Sequence, residues 1–154
     1  MAVQSTGPVE DTLCLGSAQL GSDGKVSGFV IFRYNPNGQE AVVALESRNA
    51  NSYILAFDNT NRTATGVAIN SVSTQPVLVP VVVRDDSGAQ IASGTISLAA
   101  NGHYSFTLGV DEYPVTENIR GTLEFTTPPG GQIGVLGIQI PAAQTSTTIP
   151  SLAR

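Results

Sequence analysis

The chain has 154 residues, 41% of them hydrophobic and only 12% charged, with a net charge of −5. One domain of ordinary size fits that length, and so apolar a composition excludes a disordered chain. Lys25 is the only lysine, and Arg33, Arg48, Arg62, Arg84, Arg120 and Arg154 are scattered singly. That excludes the clustered basic surface that nucleic acid or an anionic membrane would need.

From the N-terminus, residues 1–11 are polar, contain Gly7-Pro8 and read as an extended arm. They lack the basic and apolar regions of a signal peptide. Residues 12–20 read as a first strand. Cys14 lies there between Leu13 and Leu15 and reads as a buried strand residue, and a lone cysteine cannot form an intramolecular disulfide. Residues 26–34 read as a strong strand with Val26, Gly28, Val30, Phe32 and Tyr34 on one face and Phe29 and Ile31 on the other. Apolar residues on both faces predict a central strand covered on both sides, or one shielded by an arm. The turn Asn35-Pro36-Asn37-Gly38 leads to a strand over 41–46. Further strands are expected over 52–57 and 63–70, with the turn Asp58-Asn59-Thr60-Asn61 between them.

The stretch from Gln75 to Leu108 has the clearest pattern. Val77, Val79, Val81 and Val83 recur at period two and place a β-branched row on one face. Asp85-Asp86-Ser87-Gly88 and Asn101-Gly102 are hairpin turn signals, so the stretch predicts a three-stranded meander. Gly94 and the change of parity between Ile91 and Ile96 predict a bulge. Pro114 to Asn118 fits one helical turn. Strands over 121–127 and 132–140 follow. Residues 141–154 form a Thr/Ser/Pro-rich tail with a short edge strand near 147–149.

Many short strands with a turn signal every ~8–12 residues predict an all-β fold. The expected architecture is one antiparallel β-sandwich over residues 12–140, immunoglobulin-like or jelly-roll-like, with about 9–11 strands and little helix. A closed barrel is the alternative. Gly16 to Leu20 followed by Val26-Ser27-Gly28-Phe29-Val30-Ile31 is similar to Gly121 to Phe125 followed by Ile133-Gly134-Val135-Leu136-Gly137-Ile138. If this is a duplication, the two hairpins are expected to occupy equivalent places in two facing sheets.

No chemical motif stands out. His103 is the only histidine. A hydrolase would pair it with Ser87, but no nucleophile elbow is present, so no catalytic residue is assigned. The acidic pairs Asp85-Asp86, Asp111-Glu112 and Glu10-Asp11 read as solvated loop acids. No metal-binding residue and no cofactor is assigned, structural calcium at Asp111-Glu112 or Asp58-Asn59 being the alternative. Phe29, Phe32, Phe57, Phe106 and Phe125 read as core. Without tryptophan, Tyr34, Tyr53, Tyr104 and Tyr113 are the only candidate platforms for a sugar ring. The ligand candidates are Tyr34, Tyr53 and Tyr113 with Asp111 and Glu112. Asn61-Arg62-Thr63 matches a glycosylation sequon.

The strings Gly28 to Arg33, Phe57-Asp58-Asn59-Thr60, Thr65-Gly66-Val67-Ala68, Leu98 to His103 and Arg120 to Phe125 resemble an uncharacterised β-rich module. It recurs near the C-termini of predicted secreted multidomain proteins of environmental bacteria, often beside immunoglobulin-like repeats. The resemblance covers most of residues 12–150 and implies export, a β-sandwich and a non-catalytic role at the cell surface. The partners it implies are other domains of a larger secreted protein; the tyrosines add surface glycans. Neither nucleic acid nor membrane insertion is expected. A monomer is expected, with strand-mediated assembly of filaments through the tail as the alternative.

Overall fold

The computed structural model describes residues 16–34, 38–48, 50–142 and 146–154, and only the backbone of residues 34 and 39. The expected N-terminal arm, Cys14 and most of the turn after Tyr34 lie outside the described residues. In chain order the strands are β1 (Phe29–Tyr34), β2 (Gln39–Ala44), β3 (Ser52–Asp58), β4 (Ala64–Ser71), β5 (Val77–Asp85), β6 (Gln90–Leu98), β7 (His103–Thr107), β8 (Arg120–Thr126), β9 (Ile133–Ile140), β10 (Thr147–Pro150) and β11 (Leu152–Ala153). A 3₁₀ turn, Pro114–Thr116, precedes β8.

The fold is an antiparallel β-sandwich. A five-stranded sheet, ordered β11-β3-β8-β5-β6, faces a four-stranded sheet, ordered β10-β9-β4-β7, and β1 and β2 form a separate hairpin. Strict alternation builds the interior. Tyr53, Leu55 and Phe57 from β3, Val79, Val81 and Val83 from β5, and Leu123 and Phe125 from β8 point one way. Val67, Ile69, Phe106, Ile133 and Val135 from the other sheet meet them in one cluster. Their neighbours along each strand point outward, as period two requires.

At the far end of the chain, β10 pairs with β9 in one sheet and β11 with β3 in the other. The residue between them, Ser151, is buried and donates its hydroxyl to Val135 O at 2.9 Å. The tail thus links the two sheets along one side and finds its hydrogen-bond partners in its own chain.

Several sequence expectations are corrected. Residues 16–20, the described part of the first expected strand, form no strand. The stretch 75–108 is not a meander. β5 and β6 form the expected hairpin, but β7 pairs with β4 in the opposite sheet. Asn101, at φ 51, turns the chain across the gap between sheets, with its N–H on Ser73 O at 2.7 Å. The bulge falls at Ile91, where Val83 pairs with Ala92 and Arg84 with Gln90. Gly94 pairs regularly with Val81, and its missing side chain makes room for Tyr113, whose hydroxyl would lie 2.8 Å from a Cβ there.

Phe29 and Phe32 are not core residues: 66% and 53% of their surface is exposed. The strand carrying them is not central but one half of a two-stranded hairpin. That hairpin touches the sandwich beside β10, where Thr148 Oγ1 donates to Val42 O at 2.9 Å. Among the described residues, no helix is long and apolar enough to cross a membrane.

Candidate functional site

Of the five candidate ligand residues, Asp111, Glu112 and Tyr113 share one loop, while Tyr34 and Tyr53 lie elsewhere. Tyr53 is 1% exposed, and its hydroxyl donates to Arg48 O at 2.9 Å. Its ring fills the core, so it cannot be an open platform. Tyr34 belongs to β1, away from the other tyrosines in sequence and sheet, and its side chain lies outside the described residues. Glu112 and Tyr113 come together on the loop between β7 and the 3₁₀ turn. They share with Tyr104 a shallow depression of about 370 Å³ against Ser93 to Ser97 of β6.

The depression arises from the topology. β6 and β7 are edge strands of the two facing sheets on the same side of the sandwich. The loop after β7 folds across the gap between them. It begins with a tight turn: Asp111 accepts from Thr107 N at 2.7 Å, and Gly109, at φ 81, donates to Glu112 O at 2.8 Å. Asp111 is therefore committed to the turn, while Glu112 is free to point along β7. Tyr104 donates its hydroxyl to Glu112 at 3.0 Å. Tyr104 stacks on Phe106 with ring centres 5.5 Å apart, and Phe106 meets Tyr113 at 6.2 Å. Three aromatic rings thus run in a row, with the buried Phe106 between the more open Tyr104 and Tyr113, a geometry that fixes each ring by its neighbour.

The hydrogen bond to Glu112, with burial and the nearby carboxylates, pushes the Tyr104 phenol above its ordinary range. Burial, with Glu112 beside it, does the same to Tyr113. Both hydroxyls therefore remain protonated donors at neutral pH, next to a carboxylate acceptor.

A second set of residues holds this loop in place, and none of it figured among the ligand candidates. Asn59 is 6% exposed and donates through Nδ2 to Thr116 O at 3.1 Å. Its own N–H donates to Ile119 O at 2.9 Å. Thr116 is fully buried and donates to Tyr113 O at 2.8 Å. Tyr113 sits at φ 50, a strained position for a bulky residue, which this clamp maintains. Asn59→Ala is expected to lower stability by about 1–3 kcal/mol by leaving buried carbonyls unpaired. It should also speed hydrogen exchange over 109–118. Unchanged exchange there would show that the loop is held by something else.

The remaining polar clusters serve turns. Asp58 accepts from the N–H and hydroxyl of Thr60 at 2.9 and 2.6 Å, while the Asn59 side chain turns inward to Thr116 O. Asp85 accepts from Ser87 N, Ser87 Oγ and Ala89 N, and the Ser87 hydroxyl holds its carboxyl below the usual range. Ser87 and His103 lie beyond opposite ends of β6, a strand of nine residues and about 30 Å. They do not form a catalytic pair. No group of three or more His, Cys, Asp or Glu side chains arranged to hold a metal ion occurs among the described residues.

No family model, no curated protein and no solved structure matches the chain.

Proposed function

We propose that the chain is a non-catalytic extracellular interaction module that binds its ligand at the Tyr104–Glu112–Tyr113 depression. The observation that carries this reading is the clamped loop. Through a strained backbone and a buried Asn59–Thr116 pair it holds the Tyr113 phenol and the Glu112 carboxylate next to Tyr104 of β7 and the hydroxyl-bearing edge of β6. Carbohydrate is the ligand class that fits best: tyrosine rings offer stacking faces, and hydroxyls and a carboxylate serve sugar hydroxyls. A surface rich in Thr, Ser and Asn, together with the resemblance to secreted bacterial modules, supports a place outside the cell or on its surface. The tail pairs within its own chain, which favours a monomer over a filament joined by that tail.

The test is binding to an array of glycans and to insoluble polysaccharides. Binding is expected in the micromolar to millimolar range. Tyr113→Ala and Glu112→Gln should each weaken it at least about tenfold, a loss of ~1.4 kcal/mol. The melting temperature of Glu112→Gln should be close to that of the parent, while Tyr113→Ala should melt lower because its ring packs on Phe106. An empty array and an unchanged pull-down would remove the carbohydrate reading. Turnover of an ester or glycoside that disappears in Glu112→Gln would overturn the non-catalytic one.

A further inference from the structure

The depression at Tyr104, Glu112 and Tyr113 has a charge of one sign. Its walls are Ser93 to Ser97 of β6, the two tyrosines and Glu112, and no lysine, arginine or histidine is among them. His103 adjoins Tyr104 on β7, but alternation along a strand turns neighbouring side chains to opposite faces. The phenols stay neutral at pH 7, so the Glu112 carboxylate stands there as the charged group.

That carboxylate has no counter-charge of its own. Arg48 and Glu46 form the one ion pair among the described residues. Glu112 Oε1 accepts from the Tyr104 hydroxyl, and Oε2 accepts from no donor among the described residues. An ionised carboxyl offers about four lone-pair sites, so most of its accepting capacity is left over. Asp111, bound to Thr107 N, adds charge of the same sign, and its carboxylate acts on the Tyr104 phenol together with that of Glu112. Tyr104 is 38% exposed and Tyr113 is half-buried, so part of each ring borders the depression. The face of a tyrosine ring attracts a cation through its quadrupole. Carboxylate and rings therefore favour positive charge in a ligand and disfavour negative charge.

The donors and acceptors present indicate which kind of cation. Calcium takes six to eight oxygens, usually from several carboxylates, and the depression offers one. An ammonium group carries three donors, which one carboxylate and nearby hydroxyl oxygens satisfy. We infer that the depression selects a sugar bearing a free amino group, whose ammonium binds Glu112 beside the two tyrosine rings, an inference that rests on the carbohydrate site proposed for this chain. The exposed Ser93, Thr95 and Ser97, which share one face of β6, are left to serve the hydroxyls of the sugar. Uronic and sulfated sugars are repelled by the same carboxylate.

The experiment titrates the full chain with short glucosamine oligomers, their fully N-acetylated forms, and glucose and uronate oligomers of equal length. N-acetylation removes the charge and leaves the ring and its hydroxyls. The glucosamine oligomer should bind at least about tenfold more tightly than the N-acetylated one, and the uronate should bind least. High salt should narrow the difference, because attraction between exposed charges is screened. Glu112→Gln should bring the two forms to near equality, and Glu112→Lys should move the preference to the uronate. Glucose or N-acetylated oligomers that bind as tightly as glucosamine overturn the inference and leave the carbohydrate site standing. A preference that survives Glu112→Gln, or binding that requires calcium, overturns it as well. A lysine-rich peptide that binds as tightly as the amino sugar removes the sugar from both readings, and no binding by any of the probes overturns both.

Discussion

Val81→Asp is expected to abolish cooperative folding at neutral pH. Val81 is 1% exposed in the middle of β5, paired with Gly94 on one side and Phe125 on the other. Val79, Val83, Leu123 and Phe125 are buried around it, so a carboxylate there finds no donor among the side chains of the cluster. An unpaired buried charge costs more than about 4 kcal/mol, against a total stability of roughly 5–15 kcal/mol for a domain of this size. Burial also raises the pKa of the new carboxyl in any folded state above its unfolded value of about 3.9. The cost is therefore greatest above the folded pKa and shrinks as pH falls below it. Thermal melts of Val81→Asp and Val81→Ala as a function of pH provide the measurement. The alanine variant should melt cooperatively at a lower temperature, and the aspartate variant should regain part of its structure in mild acid. A melting temperature for Val81→Asp within a few degrees of the parent would mean that the valine row faces solvent.

That valine row was legible because each strand reports its own periodicity, and β5 is covered on the face its pattern marks. The same logic misplaced Phe29 and Phe32. Their apolarity states that the strand requires cover, and it cannot state that these side chains stay largely exposed among the described residues. The turn at Asn101-Gly102 was legible as a turn, because positive φ leaves a local signature. Its consequence was not, since the partner of β7 is chosen by pairing with β4 more than thirty residues earlier in the chain. The depression shows the limit most clearly. Glu112 and Tyr113 could be singled out by residue type. Their union with Tyr104 and the β6 edge depends on a sheet-to-sheet crossing and on Asn59, whose side chain looks like one more turn residue in Asp58-Asn59-Thr60. Gly94 carried a real signal, a strand glycine among larger neighbours. Its cause, the close approach of Tyr113, lies in tertiary structure.

Removing residues 143–154 is expected to destabilise the sandwich and to make it associate. The deletion takes away β10 and β11 together, which exposes the edge of β9 in one sheet and of β3 in the other. It also removes the links between those edges. Val135 O loses the Ser151 hydroxyl, Arg48 loses Ser151 O, and the N–H groups of Asn51 and Ser52 lose Arg154 O. Leaving several such groups unpaired costs on the order of 4–6 kcal/mol, a fall in melting temperature of about 10–20 °C for a chain of this size. Two adjacent open edges of a sandwich are sites for pairing with other chains. Light scattering after size exclusion should show a single small species for the full chain and larger species for the shortened one. A peptide of residues 143–154 added in excess should restore both the melting temperature and the small species, because the strands it supplies fit edges already formed. A shortened chain that stays small and melts as the parent does would show that β10 and β11 are only appended to the sandwich and do not close it.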